Sequence, residues 1–263
     1  MNYSKILFLV LSISLVSCKK EIKDKKNQLT IDEVAMNNNF DSLSNSLQKN
    51  QNINQLTSSA SNIILTSLDN IRLITIYKIN KNRNKDLQHE EPSTFYQNYD
   101  ETDEEFNFNY FMPGIDVIRG YNLINIAHFN FKTNKLSYFF EKPVLINNLY
   151  FPGVKKDSLN NQPIKRNFFL VSVYENDSNN DSIINKNDMR KIYYIDELNT
   201  TKYSLLPPNY SAIRSTYDYK NDFFYIYSRF DKNKNGKPEK TEPISIFWVD
   251  FNNPSKATKL WQN

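Results

Sequence analysis

The chain has 263 residues, with 33 Lys and Arg against 29 Asp and Glu, a formal charge of +4, one cysteine and four glycines. Most of the positive surplus is N-terminal, since Lys5 carries one charge and 19-KKEIKDKK-26 holds five Lys against two acids. The body is therefore about neutral, which excludes a basic face for nucleic acid, and a single cysteine excludes an internal disulfide framework.

The first predicted element is the apolar run 6-ILFLVLSISLVS-17, between Lys5 and Cys18. It is too short to span a bilayer and reads as the hydrophobic part of an export signal. Its end, Leu15-Val16-Ser17-Cys18, resembles the lipobox of bacterial lipoproteins. The resemblance implies cleavage before Cys18 and lipid on its thiol and new amine. Residues 1–17 would then be leader, and the membrane would hold the chain through Cys18. An ordinary signal peptide or a membrane anchor is the alternative. Residues 18–30 read as the lipidated cysteine and a flexible, charged tether without apolar period. Its lysines weakly favour anionic headgroups. Residues 31–263 read as a single β-repeat domain, because the roughly 245 residues beyond the leader suffice for one domain with a core.

Met36, Phe40, Leu43 and Leu47 are spaced as on one face of a helix. The Asn and Ser around them disfavour it, so a short helix or an extension of the tether is expected. Next, 71-IRLITIYKINKNRNKDLQHEE-91 reads as a strand and a loop. The stretch 121-YNLINIAHFNFKTNKLSYFF-140 reads as two strands with a short turn, a unit without the loop.

The clearest pattern follows. Residues 167-NFFLVSVYENDSNNDSIINKNDMRKIYYID-196 and 221-NDFFYIYSRFDKNKNGKPEKTEPISIFWVD-250 align without a gap at an offset of 54. Each reads as strand, twelve-residue loop, strand. Phe169, Val171 and Val173 alternate with Phe168, Leu170 and Ser172, so these first strands are expected to be buried on both faces, as in stacked sheets. Upstream, Asn80, Asn82, Asn84 and Glu91 fall where Asp177, Asn179, Asp181 and Asp188 fall, which gives four units in all. A preceding strand, 211-SAIRSTYDY-219, and a short apolar piece after each copy (Leu205–Leu206, Leu260–Trp261) bring the unit to four strands. Over roughly the last hundred residues this rhythm resembles blades of TolB-type β-propellers with a long loop between the second and third strands. The expected fold is all-β, a propeller-like repeat of antiparallel sheets, with a β-sandwich as the alternative.

The loops carry the chemistry. With Asp231 as position 1, Asn233 is position 3, Asn235 position 5, Gly236 position 6 and Glu242 position 12, the EF-hand spacing D-x-[DN]-x-[DN]-G-x5-E. Calcium takes six to eight oxygens. Alternate residues of a tight loop turn their side chains to one centre, the Lys237 carbonyl adds position 7, and Glu239 at position 9 acts through a water. Glu242 closes the shell. Between positions 5 and 7 the chain must reverse in a left-handed conformation, which glycine tolerates best.

In 177-DSNNDSIINKND-188 the same roles fall to Asp177, Asn179, Asp181, the Ile183 carbonyl, Asn185 and Asp188. This loop resembles that of dockerin modules, which also end in Asp and carry Ile or Val at position 8, here Ile184. Ser182 departs from that pattern at position 6, at about 1 kcal/mol of strain. The β-rich 189-MRKIYYID-196 matches nothing in dockerins, so cohesin binding is not implied. Loop 177–188 has three acids and one Lys, net −2; loop 231–242 has three acids and four Lys, net +1. The four lysines stand between ligand positions and should face water. The expected ion is Ca2+, at the roughly 10⁻⁴–10⁻³ M typical of extracellular modules, in a structural role. Loop 80–91 lacks the acid at position 1 and is expected to hold no ion. Plain hairpin turns are the alternative for all these Asn/Asp runs.

Catalytic signatures are missing from the sequence. His89 has no second His at zinc spacing, and His128 sits in a strand, where packing is expected. The run 100-DETDEE-105 reads as a solvated loop. Tyr194, Phe223, Tyr225, Tyr227 and Trp248 are expected to pack in the core rather than stack on sugars. The chain resembles calcium-loop lipoproteins of bacteria with outer membranes. The expectation is a non-enzymatic, calcium-binding lipoprotein of the outer membrane, on its periplasmic or surface face, that binds or scaffolds an envelope protein or a glycan. The alternative is a carbohydrate-active enzyme, or a glycan-binding accessory protein.

Overall fold

A computed structural model describes residues 28–36, 58–79, 112–120, 122–254 and 256–262. The leader, Cys18, most of the tether, the helical positions Phe40, Leu43 and Leu47, the loop 80–91 with His89, and the acidic run 100–105 lie outside the described residues. The described fold is nearly all β, in antiparallel sheets.

Three larger sheets follow one another. The first is ordered β2 (Ser58–Leu65), β3 (Ile71–Lys78), β5 (Leu123–Asn130), β6 (Lys135–Tyr138). The second contains β7 (Leu145–Pro152), β10 (Phe168–Tyr174), β12 (Arg190–Asp196) and β13 (Lys202–Ser204), with β4 (Ile115–Arg119) added beside β7. The third is a plain meander of β14 (Tyr210–Asp218), β15 (Phe223–Phe230), β16 (Ile244–Asp250) and β17 (Thr258–Gln262). A small hairpin, β8 (Asp157–Leu159) with β9 (Gln162–Ile164), lies in the connection between β7 and β10.

In the second and third sheets the long loop joins the second and third strands of the meander, whereas the chain between β3 and β5 of the first sheet gives β4 to the second. The upstream grouping differs from the sequence reading, however. Among the described residues, 71–78 and 123–138 do not found separate units; they belong to one sheet, so three units are seen and not four.

Two cores hold the sheets face to face. Leu73, Leu123 and Ile126 of the first sheet meet Ile146, Leu149, Phe169, Val171 and Val173 of the second. On its other face the second sheet presents Tyr150, Phe168, Leu170 and Ile192 to Phe224, Ile226, Phe247 and Val249 of the third. Every residue of β10 is consequently buried. In β15, by contrast, burial alternates along the first six residues, because the third sheet is covered on one face only.

The two clear repeats differ in register. Phe168 lies opposite Asp196 and Tyr174 opposite Arg190, whereas Phe223 lies opposite Asp250 and Arg229 opposite Ile244. The second strands thus correspond at an offset of 54 but the first strands at 55. The extra residue lies between Tyr174 and Asp177. A one-residue slip exchanges the faces of a strand, so Phe169 corresponds to Phe224, and Phe223, Tyr225 and Tyr227 turn outward.

A buried pair ties the second sheet's approach to the third sheet. Arg166, just before β10, donates from both terminal nitrogens to the Asp222 carboxylate at 2.9 and 2.7 Å. The Tyr217 hydroxyl donates to the same carboxylate at 2.6 Å. Both charged side chains are within 4% of full burial, and Arg166 also caps the Pro113 carbonyl at 3.0 Å.

The fold begins earlier than residue 31. Residues 29–30, read from sequence as tether, form β1 (Leu29–Thr30), followed by α1 (Ile31–Met36). Leu29 is completely buried. The helix starts five residues before Met36 because Thr30 and Glu33 form a capping box: the Thr30 N–H donates to the Glu33 carboxylate at 2.9 Å and the Glu33 N–H to the Thr30 hydroxyl at 3.4 Å.

Candidate metal loops

Loops 177–188 and 231–242 share a skeleton of internal hydrogen bonds from positions 1, 3, 5 and 12. The carboxylate at position 1 accepts from the N–H groups of positions 5 and 6: Asp177 from Asp181 and Ser182 at 3.1 and 2.9 Å, Asp231 from Asn235 and Gly236 at 3.1 and 2.9 Å. The position 3 amide oxygen accepts from the N–H of position 5, at 2.9 Å from Asn179 and 3.0 Å from Asn233. The position 5 oxygen accepts from the N–H of position 7, at 3.0 Å to Asp181 and 2.9 Å to Asn235.

The acid at position 12 closes each loop by accepting from positions 2 and 9. Asp188 accepts from the Ser178 and Asn185 N–H groups, both at 2.8 Å. Glu242 accepts from the Lys232 and Glu239 N–H groups at 3.0 and 3.1 Å. The backbone follows suit. Position 6 is left-handed in both loops, with φ of 68° at Ser182 and 72° at Gly236. So is position 4, with φ of 58° at Asn180 and 57° at Lys234, which the sequence reading missed. Asn is a frequent residue there; a lysine gives no such signal.

These bonds aim the oxygens without exhausting them. A carboxylate has about four acceptor sites, and the backbone N–H groups take a part of them. The donor set is all oxygen, which suits a hard cation. Burial, against the backbone bonds, raises the pKa of the Asp188 and Glu242 carboxyls above their ordinary values. Asp231 and Glu239 push Glu242 further the same way. Position 9 differs between the loops. Asn185 accepts from the Asn187 N–H at 2.7 Å, while the Glu239 carboxylate accepts from the side-chain amides of Asn233 and Asn235 at 3.1 and 2.9 Å. Lys232, Lys234, Lys237 and Lys240 are all exposed, in line with the sequence expectation. Among the described residues no group of three or more His, Cys, Asp or Glu side chains converges as a metal site.

The loops touch each other. The Ser178 hydroxyl donates to the Gly236 carbonyl at 2.6 Å, with an Asp188 carboxylate oxygen 3.2 Å away sharing the same proton, and accepts from the Met189 N–H at 2.8 Å. A Cβ on Gly236 would stand 1.8 Å from the Ser178 carbonyl oxygen. Gly236 is thus required twice, by its φ and by its neighbour. Ser178 occupies position 2, which carries no ligand, and nothing in the spacing marks it.

Clefts of about 240 and 480 Å3 flank this contact. The smaller has Asp181, Asn187 and Lys237 in its wall, the larger Lys191, Tyr210 and Asp231. Each wall contains a single carboxylate. His128 is packed: its Nε2 lies 2.9 Å from the Glu197 carbonyl oxygen, its ring centroid 6.1 Å from those of Phe139 and Phe169, and burial depresses its pKa.

Of the five aromatics expected in the core, Tyr194 is there, stacked on Tyr203 at 4.9 Å. Phe223, Tyr225, Tyr227 and Trp248 correct the expectation. They are half-buried on the outer face of the third sheet and join none of the cores. Phe223 packs on Trp248 at 4.6 Å, and the Arg214 guanidinium lies 3.9 Å from the centre of the Tyr227 ring.

No protein-family model matches the chain, and no curated protein matches it.

Proposed function

We propose that the protein is a calcium-binding, lipid-anchored envelope protein whose sheets are arranged like consecutive propeller blades and which acts as a binding or scaffold module. The observation that carries the ion reading is the shared hydrogen-bond skeleton of the two loops. Turns that merely joined strands would have no reason to repeat the same carboxylate and amide bonds at positions 1, 3, 5 and 12 in two sheets of different register. Asp177, Asn179, Asp181, the Ile183 carbonyl, Asn185 and Asp188 would hold one ion. Asp231, Asn233, Asn235, the Lys237 carbonyl, Glu239 and Glu242 would hold the other. Bound calcium would supply charge compensation for the buried acids and cross-link each loop. The lipid anchor rests on the Leu15–Cys18 motif.

A binding role draws support from the outer face of the third sheet, where Phe223, Tyr225, Tyr227 and Trp248 lie half-exposed beside Arg214. Rings on such a face suit stacking on a glycan as well as contact with a protein. The alternative, a carbohydrate-active enzyme, calls for two carboxylates across a pocket.

The test is calcium calorimetry with thermal melts on the full chain in detergent. Two binding events are expected, with Asp177→Ala removing one and Asp231→Ala the other. At 10 mM calcium each occupied site should add about 1.4–2.7 kcal/mol. No heat and no shift at that concentration would reduce the loops to turns.

A further inference from the structure

We propose that the N-terminal segment 28–36 is a working part of the first loop's ion site, so that docking of this segment and occupation of loop 177–188 strengthen each other. The proposal rests on the calcium reading above. At the centre of the loop, positions 7 and 8 form β11 (Ile183–Ile184), which pairs antiparallel with β1, Leu29 opposite Ile184 and Thr30 opposite Ile183. The Ile31 N–H donates to the Ser182 carbonyl at 3.3 Å. The backbone that must present the Ile183 carbonyl to an ion is therefore aligned along its outer edge by β1.

Side chains fasten the same joint. Ile184 and Leu29, at 2% and 0% exposure, pack with Val34, Ile76, Ile124 and Tyr174 in a third core. The segment is held at its other side by Lys78, which donates to Glu33 at 2.7 Å and to the Gln28 carbonyl at 3.3 Å.

Loop 231–242 is built differently at the same place. Its positions 7 and 8 are Lys237 and Pro238; proline has no N–H to give a strand partner, and the Pro238 carbonyl is taken by Arg229 at 3.3 Å. The second loop, which touches the first through Ser178 and Gly236 but takes no strand at these positions, is thus the comparison. Linkage is reciprocal: whatever factor the docked segment adds to ion affinity, the ion adds to docking.

The experiment titrates calcium chloride into the full chain in detergent, comparing the parent with two variants. Leu29→Asp should expel β1 and weaken the first site about tenfold or more. Ile31→Pro removes only the N–H that reaches Ser182, at the first helical position where proline is well tolerated, and should weaken that site about threefold. The second site, which takes no strand from the N-terminus, should be weakened less than the first in both. Hydrogen exchange supplies the other half of the linkage. Calcium should slow amide exchange in 29–36 of the parent and of Asp231→Ala, but not of Asp177→Ala. If Leu29→Asp does not fold, Ile31→Pro and the exchange data decide. First-site affinity unchanged in the folded variants, or exchange in 29–36 indifferent to calcium, with both ions bound, would overturn the proposal alone. No binding at either loop would overturn it together with the reading beneath it.

Discussion

Loops 177–188 and 231–242 share their hydrogen bonds and their left-handed positions, yet each is completed by a different neighbour. The first takes a strand from the N-terminus along Ile183–Ile184 and ends in the shorter Asp188. The second presses Gly236 against Ser178 of the first and ends in Glu242. The comparison separates what the ion-loop geometry requires from what the setting adds. Common to both are oxygens at positions 1, 3, 5 and 12 and the reversal at 6. The identity of residue 6 is not common. Serine serves in the first loop because Ser182 is exposed; in the second, Ser178 leaves no room for a Cβ.

Substitutions at position 6 sharpen that contrast, because they should act with opposite sign. Gly236→Ala drives a Cβ into backbone and should cost about 3 kcal/mol or more in calcium-free denaturation. A loss under about 1 kcal/mol would mean that the two loops do not touch. Ser178→Ala tests the contact from the other side. It removes the hydroxyl bonds to Gly236, Asp188 and Met189, with an expected cost of about 1–2 kcal/mol, and should lower calcium affinity at the first loop through Asp188. Ser182→Gly should be the mildest, a gain of about 0.5 kcal/mol. It relieves left-handed strain of about 1 kcal/mol, which the greater freedom of glycine in the unfolded chain partly offsets. Destabilisation by Ser182→Gly would show that the serine side chain is needed there. All three are read by urea denaturation in chelator.

The loops were legible in the sequence because their signal is local. Asp231, Gly236 and Glu242 fix their own geometry within twelve residues, and so does the strain expected at Ser182. The strands around them were legible too, from their alternation. What failed was partnership across distance. The gapless alignment placed Phe223 with Phe169, but one residue before Asp177 shifts the register and turns Phe223, Tyr225 and Tyr227 away from the core. Apolar content cannot reveal this, since a covered middle sheet and a half-covered end sheet use similar strands. Residues 71–78 and 121–140 were assigned to separate units because 80–91 matches the loop positions of 177–188 and 121–140 reads as a hairpin of its own, while sheet pairing depends on the faces they bury. The Thr30-x-x-Glu33 capping box was readable, but the lysines before it drew the tether boundary too far along the chain.

The Arg166–Asp222 pair bears on how the molecule comes apart. A guanidinium and a carboxylate buried together lose their paired bonds whenever the two segments part, and a partner left unpaired in a half-opened, still dry seam costs several kcal/mol. Peeling the third sheet from the second would expose that pair and strand the Tyr217 hydroxyl with it. Partial opening at this seam is thereby disfavoured against loss of both sheets at once. Chains made of repeats can melt one repeat at a time; this pair favours a single transition for the second and third sheets.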